Sequence, residues 1–193
     1  MGLLKFLYLP AKLLNRFYNK LWFTMNRVKY ADFPKINGKL YLRNKGEIHF
    51  GKCLKFNSSK SDNAIGGGTR MVIKGYPNAI LKIGDHTGIS NSAIVCMEKI
   101  VIGKYVKIGG SVKIYDTDFH SLDYKQRKDK NTDMPINKEI YIGDYSFIGA
   151  HSIILKGVKI GERCIIGAGS VVTKSIPDGE IWGGNPAKFI RKT

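Results

Sequence analysis

From Ile142 to Val172 the chain reads IGDYSFIGAHSIILKGVKIGERCIIGAGSVV, and a branched aliphatic returns at every sixth position: Ile142, Ile148, Ile154, Ile160, Ile166 and Val172. Glycine follows at once at Gly143, Gly149, Gly161 and Gly167, and a small or β-branched residue stands four later at Ser146, Ser152, Val158 and Ser170. A repeat of six suits the two-residue alternation of a strand and drifts around the axis of a helix. Each hexapeptide therefore reads as a short strand with an inward aliphatic, followed by a bend taken by Gly, Asp or Asn. One such unit cannot bury its apolar face alone, so the units must stack as the coils of a parallel β-helix.

The pattern extends upstream, with Ile83, Ile89 and Val95 in step and then Ile102, Ile108 and Ile114 in step again. A step of seven between Val95 and Ile102 predicts one residue squeezed out at a corner. Before Ile83 the register loosens, although Ile48 and Leu54 are six apart, as expected of atypical terminal coils. After Ile114 the repeat breaks into YDTDFHSLDYKQRKDKNTDMPINKEI and resumes near Ile140, which predicts a protruding loop over 116–139. A long polar excursion from a regular frame is usually functional.

The first thirty residues follow a different rule. Lys5, Lys12, Arg16, Lys20 and Arg27 are spaced seven, four, four and seven, one stripe of a helix. Leu7, Leu14, Phe17, Tyr18, Leu21, Trp22 and Met25 occupy the other side, and Pro10 suits a helix start. Residues 1–30 thus form a basic amphipathic segment ahead of a β-helix domain over 31–193. Charge interrupts the segment too often for a membrane span, and it lacks a cleavage-site pattern. Two uses fit it: peripheral contact with an anionic membrane, or capping the open end of the β-helix with its apolar side.

Composition narrows the partners. The net charge of +17 is carried partly by that segment and partly by the turns, with no helix-turn-helix or zinc spacing, so nucleic acid is not an expected partner. Phosphate-bearing small molecules remain suitable. Cys53, Cys96 and Cys164 are odd in number and sit in strand-like contexts, so they read as reduced, buried thiols of a cytoplasmic protein. No metal site is expected. Of the four histidines, His120 in the loop, flanked by Asp116, Asp118 and Asp123, best suits general-base work. His49, His86 and His151 read as solvated strand or turn residues.

These repeats, the DTDFH segment and the C-terminal IIGAGSVVTKSIPDGEIWGGNPAKFIRKT resemble the hexapeptide-repeat acyltransferases, near the galactoside, maltose and polysaccharide O-acetyltransferases. The resemblance covers roughly residues 40 to 193. It implies an all-β, left-handed parallel β-helix (the handedness comes from the resemblance alone), assembled as a homotrimer with active sites between subunits. It implies acetyl-CoA as co-substrate and a sugar or glycan hydroxyl as acceptor, in surface polysaccharide or glycolipid assembly. Carried over by position, His120 would act as base with Asp116 and Asp118 as candidate carboxylates, and Asn91 would meet the acceptor. Phe147, Gly149, Ala150, Ala168, Thr173, Lys174, Lys188 and Arg191 would hold coenzyme A; Phe147 stands where relatives often have Trp. The implied place is the cytoplasm, with the inner face of the membrane within reach of residues 1–30.

Rivals are weaker. A γ-type carbonic anhydrase resembles this frame, but Tyr115 and Lys125 stand where a third histidine ligand would be needed. There is no room for a nucleotidyltransferase's sugar-nucleotide domain, and no Thr-x-Thr ladder of an ice-binding solenoid. An N-acetyltransferase on an amino sugar, and a non-catalytic β-helix that serves as a binding or scaffold protein, are the remaining alternatives.

Overall fold

The computed structural model describes residues 2–65 and 67–193, with side chains from residue 11 onward. The hexapeptides form the three walls of a left-handed parallel β-helix. The first wall stacks Lys29–Tyr30, Glu47–Phe50, Ile80–Ile83, Lys99–Ile102, Ile140–Ile142 and Lys159–Ile160. The second stacks Lys35–Gly38, Lys55–Ser58, Gly88–Ser90, Lys107–Ile108, Phe147–Ile148, Ile165–Ile166 and Glu180–Gly183, and ends on the antiparallel strand Lys188–Lys192. The third stacks Tyr41–Asn44, Val72–Gly75, Ala93–Cys96, Lys113–Tyr115, Ile153–Ile154 and Val171–Val172.

The sixfold spacing becomes columns. Ile89, Ile108, Ile148 and Ile166 are in register down the second wall, and Ile94, Ile114, Ile154 and Val172 down the third. All are buried. Each such side chain contributes about 1.5–3 kcal/mol on leaving water, and each coil obtains that only from its neighbours.

Buried hydroxyls tie successive coils at the corners. Ser146 Oγ donates to Gly161 O at 2.9 Å and accepts from Cys164 N at 3.0 Å. Thr87 Oγ1 does the same with Gly103 O and Val106 N. Aspartates serve another corner: Lys52, Lys104 and Glu162 donate backbone N–H groups at 2.8 Å to Asp85, Asp144 and Asp178 of the next coil.

One expected column member is displaced. Val95 is half-buried, and Ile94 takes the inward place in register with Ile114. The corner at Asn91, where the backbone turns through φ 39°, uses one residue fewer than its successors. The following corner, at Met97 and Glu98, is longer by two residues, since Ile94 and Ile102 are eight apart where their column partners Ile154 and Ile160 are six apart. Cys96 and Cys164 are buried as expected, and burial pushes both thiols up, Cys96 also through the neighbouring Asp116 carboxylate. Cys53, by contrast, is exposed, at a corner with φ 56° where its N–H is held by Asp32.

The N-terminal helix α1 spans Gly2–Met25. The helix begins at Gly2 and runs through Pro10, so Pro10 does not start it; the side chains of Lys5 and Leu7 of the expected amphipathic segment lie outside those described. Arg27 is not on the stripe, because it lies past the helix end in a left-handed turn with φ 51°. The face that meets the first coil takes only Tyr18 and Trp22, both half-buried, from the expected apolar side. Buried Asn19 donates to Gly38 O and accepts from Leu40 N, while Phe23 packs on Phe33 and Phe50. Leu13, Leu14, Phe17, Leu21 and Met25 face outward.

Candidate active site

Asp116 is where the loop leaves the frame. It is fully buried, its Oδ1 accepts Met97 N at 2.7 Å, and its Oδ2 accepts Glu98 N at 2.8 Å and lies 3.5 Å from Cys96 Sγ. The carboxylate thereby braces the long corner of the preceding coil. The excursion returns beside its start: Lys138 N donates to Asp116 O at 2.9 Å, and Thr117 bridges Asn137 antiparallel. Inside the loop a short helix, α2 (Tyr124–Arg127), is capped by the Asp123 side chain accepting from Lys125 N. Arg127 Nη1 donates to Ser121 O, which closes the fold of the loop on itself.

His120 stands on this loop with its side chain 66% exposed. Its carboxylate is Asp133, thirteen residues on. His120 Nδ1 lies 2.6 Å from Asp133 Oδ2, and Ser121 N donates to Asp133 Oδ1 at 2.6 Å. The hydrogen bond from His120, and then that from Ser121 N, holds Asp133 below the usual carboxylate range. An ionised Asp133 accepts, so Nδ1 carries the proton of the neutral imidazole and Nε2 keeps a lone pair. The expectation that Asp116, Asp118 or Asp123 orients His120 is therefore corrected. Asp116 and Asp123 are engaged with backbone N–H groups, and Asp118 pairs with Lys156 Nζ at 3.3 Å.

The other histidines have ordinary settings. His49 pairs with Glu47, His151 is an exposed corner residue, and His86 stacks on Tyr105, which stacks on Tyr145. Among the described residues no group of three His, Cys, Asp or Glu side chains could hold a metal ion.

Asn91 stands at the corner just after the strand Gly88–Ser90. It is 3% exposed, its Nδ2 reaches Ser59 O at 3.4 Å, and its Oδ1 is buried with no partner among the described residues. Ser59 opens a second excursion, described over residues 59–65 and 67–70, that the strand pattern alone did not mark as a site feature; its run of Ser, Asp and Gly was the available signal. Among the described residues no hydrogen bond joins Asn91 to His120.

Asn91 does share an edge with most of the expected coenzyme residues. Where the second wall turns into the third, Ser111 N bonds Asn91 O, His151 N bonds Gly110 O, and Gly169 N bonds Ala150 O. Ala150 and Ala168 thus lie one coil apart on the edge that begins at Asn91. Gly149 fits there because a Cβ would come 2.5 Å from Ala168 N, so the stacking of coils needs glycine whatever binds outside.

Phe147, 47% exposed, stands on the outer face of the second wall between Lys107 and Ile165. Thr173 and Lys174 follow the last strand of the third wall and are exposed. The GNPAK segment folds back onto that strand, with Val171 N donating to Gly184 O and Ala187 N to Val171 O. This carries Lys188 opposite Gly183 and Arg191 opposite Ile181. Among the described residues Lys174, Lys188 and Arg191 have no carboxylate partner, so the last coil and the strand that folds back on it carry three exposed, unpaired cations. Unpaired cations of this kind suit phosphate.

Comparison with known proteins places the frame. Residues 139–174 match the family described as bacterial transferase hexapeptide (six repeats). A hexapeptide-repeat-containing acetyltransferase from Vibrio cholerae is 39% identical with a TM-score of 0.54, over 58% of this chain and 62% of its own. Its complex with acetyl coenzyme A matches at the same identity and TM-score, over 60% of its own chain. The match thus spans less than two thirds of that relative's length. A maltose O-acetyltransferase from Clostridium difficile 630 shares the fold at 23% identity, TM-score 0.57, over 94% of this chain and 88% of its own. So does an N-acyltransferase from Bacillus cereus in complex with dTDP and 3-hydroxybutyryl-CoA, at 19% identity and TM-score 0.59, over 84% and 78%. The chain carries the hexapeptide repeat and has the fold of hexapeptide-repeat acetyltransferases.

Proposed function

Proceeding from that likeness, we propose that this chain is an acetyl-CoA-dependent O-acetyltransferase acting on a sugar hydroxyl in surface polysaccharide or glycolipid assembly. The observation that carries it is the exposed His120 imidazole clasped at Nδ1 by Asp133. Nε2 accepts the proton of the acceptor hydroxyl as its oxygen attacks the thioester carbonyl. Asp133 fixes the tautomer and supports the imidazolium. The imidazolium then returns its proton to the departing thiolate, so no covalent intermediate on the protein is needed. The backbone N–H at Ala150 suits the oxyanion, and Asn91, whose Oδ1 has no partner among the described residues, suits the acceptor.

Phe147, Gly149, Ala150 and Ala168 would line the pantetheine arm, with Thr173, Lys174, Lys188 and Arg191 toward its phosphates. We place the enzyme as a homotrimer, so that the His120 loop of one protomer meets the C-terminal edge of the next. Its place is the cytoplasm, at the inner face of the membrane where membrane-linked glycans are built.

The test is acetyl-CoA turnover against a panel of sugars and nucleotide-sugars, with mass spectrometry of the product linkage. His120→Ala should lower turnover by roughly 10²–10⁴-fold, the usual worth of a positioned base, with an unchanged melting temperature. Near-wild-type turnover in that variant overturns the assignment of His120. An N-linked product replaces the hydroxyl acceptor by an amino sugar, and no turnover with any acceptor leaves a non-catalytic binding or scaffold protein.

A further inference from the structure

α1 has two unlike long faces. Asn15, Tyr18, Asn19, Trp22, Phe23 and Asn26 lie on the face that meets the first coil, and all are buried or half-buried. Leu14, Phe17, Leu21 and Met25, spaced three, four and four, share a face with Leu13; at about 100° per residue, Phe17 lies roughly 160° around the axis from Asn19. These five side chains are between 48% and 70% exposed. A soluble helix docked by one face ordinarily shows polar residues on the other.

The flanks of the outward face carry only positive charge. Lys12, Arg16 and Lys20 run along one flank, and on the other Lys39 Nζ sits 5.2 Å over the Tyr18 ring. Beside the first flank a groove of about 560 Å³ opens between α1 and residues 59–62. Lys12, Arg16 and Lys35 line it with Ser59, Ser61 and Asp62, and the Asp62 carboxylate is already taken by the Ser59 hydroxyl. An apolar strip bordered by cations and a basic groove matches acyl chains bordered by anionic headgroups. A protein partner would need acidic residues on both borders of one apolar strip; a bilayer with anionic lipid presents that pattern everywhere.

We propose that α1 lays its outward face, Leu13, Leu14, Phe17, Leu21 and Met25, on an anionic lipid surface while Asn19 and Phe23 hold it to the first coil. The contact is interfacial. Among the described residues no helix is long and apolar enough to cross a membrane. This deepens the membrane-side placement above and uses none of the chemistry at His120, so its failure would leave acetyl transfer intact.

The experiment is co-sedimentation of the full chain with phosphatidylcholine vesicles and with vesicles containing phosphatidylglycerol, at low and high salt. Binding should be at least about tenfold stronger with phosphatidylglycerol, fall with salt, and be lost in Phe17→Glu with Leu21→Glu at unchanged size and melting temperature. Vesicles with brominated phosphatidylglycerol should also quench part of the tryptophan fluorescence of the unaltered chain, that of Trp22 on the helix and not that of Trp182 at the far end of the frame, a readout that depends on no variant. Absence of binding to the anionic vesicles at low salt overturns the proposal, as does equal binding to both kinds. A smaller assembly in the double variant would also overturn it, since the strip would then be covered by a second copy of the chain.

Discussion

Replacing Asp116 by alanine separates the frame from the chemistry. Its two oxygens accept Met97 N at 2.7 Å and Glu98 N at 2.8 Å in a site with no solvent exposure. A hydrogen bond to a charged group contributes about 1.5–3 kcal/mol, and alanine would leave both donors buried without partners, so the loss is about 4 kcal/mol. For a chain of this size that lowers Tm by roughly 8–16 °C. Asp116→Asn keeps one carbonyl acceptor and turns its amide against the second N–H, so it should lose at least half as much. Circular dichroism melting measures this, alongside acetyl-CoA turnover below the melting transition. The reasoning predicts that the alanine variant melts early and retains turnover while folded. A variant that melts within a degree or two of the wild type, yet turns over a hundredfold more slowly, would refute it and return Asp116 to catalysis.

Two further outcomes are expected. Lys174→Ala combined with Arg191→Ala should weaken coenzyme A binding, most at low salt, by titration calorimetry; unchanged affinity would move the phosphate site away from the C-terminal end. Because Asp133 titrates below the ordinary aspartate range, its clasp contributes fully above about pH 4 and is lost only as pH falls through the lower folded value. Proteolysis at Lys128 and Lys130 should therefore stay slow down to that pH and be fast throughout in Asp133→Asn. Cleavage in the wild type that already accelerates near neutrality would mean that the clasp does not order the loop.

The columns of the frame were readable because a branched aliphatic every sixth residue has one good solution. Ile108, Ile148 and Ile166 stack as their spacing says. The slip from Val95 to Ile94 was not readable, because it depends on a left-handed backbone at Asn91 and on a corner braced by Asp116, nineteen residues beyond Met97. The loop announced itself, and so did its histidine. Its partner did not: a carboxylate thirteen residues away in an aperiodic segment leaves no spacing signal, and three nearer aspartates compete for the role. The orientation of α1 escaped for a different reason. Amphipathic patterning assumes that the apolar stripe is the buried one, whereas Asn19 docks the helix through Gly38 O and Leu40 N.

The excursion of residues 116–139 leaves and re-enters the solenoid at one point, where Lys138 N meets Asp116 O. The coil beneath is thus blind to how much chain hangs from it. For a flexible loop a doubling of length costs only about 0.6 kcal/mol in closure, and no aliphatic column need shift to absorb it. A lineage could trade this loop for another, residue count and all, and change what the histidine greets without renegotiating the register of a single rung. Evolvability in such a molecule resides in one hinge of peptide backbone.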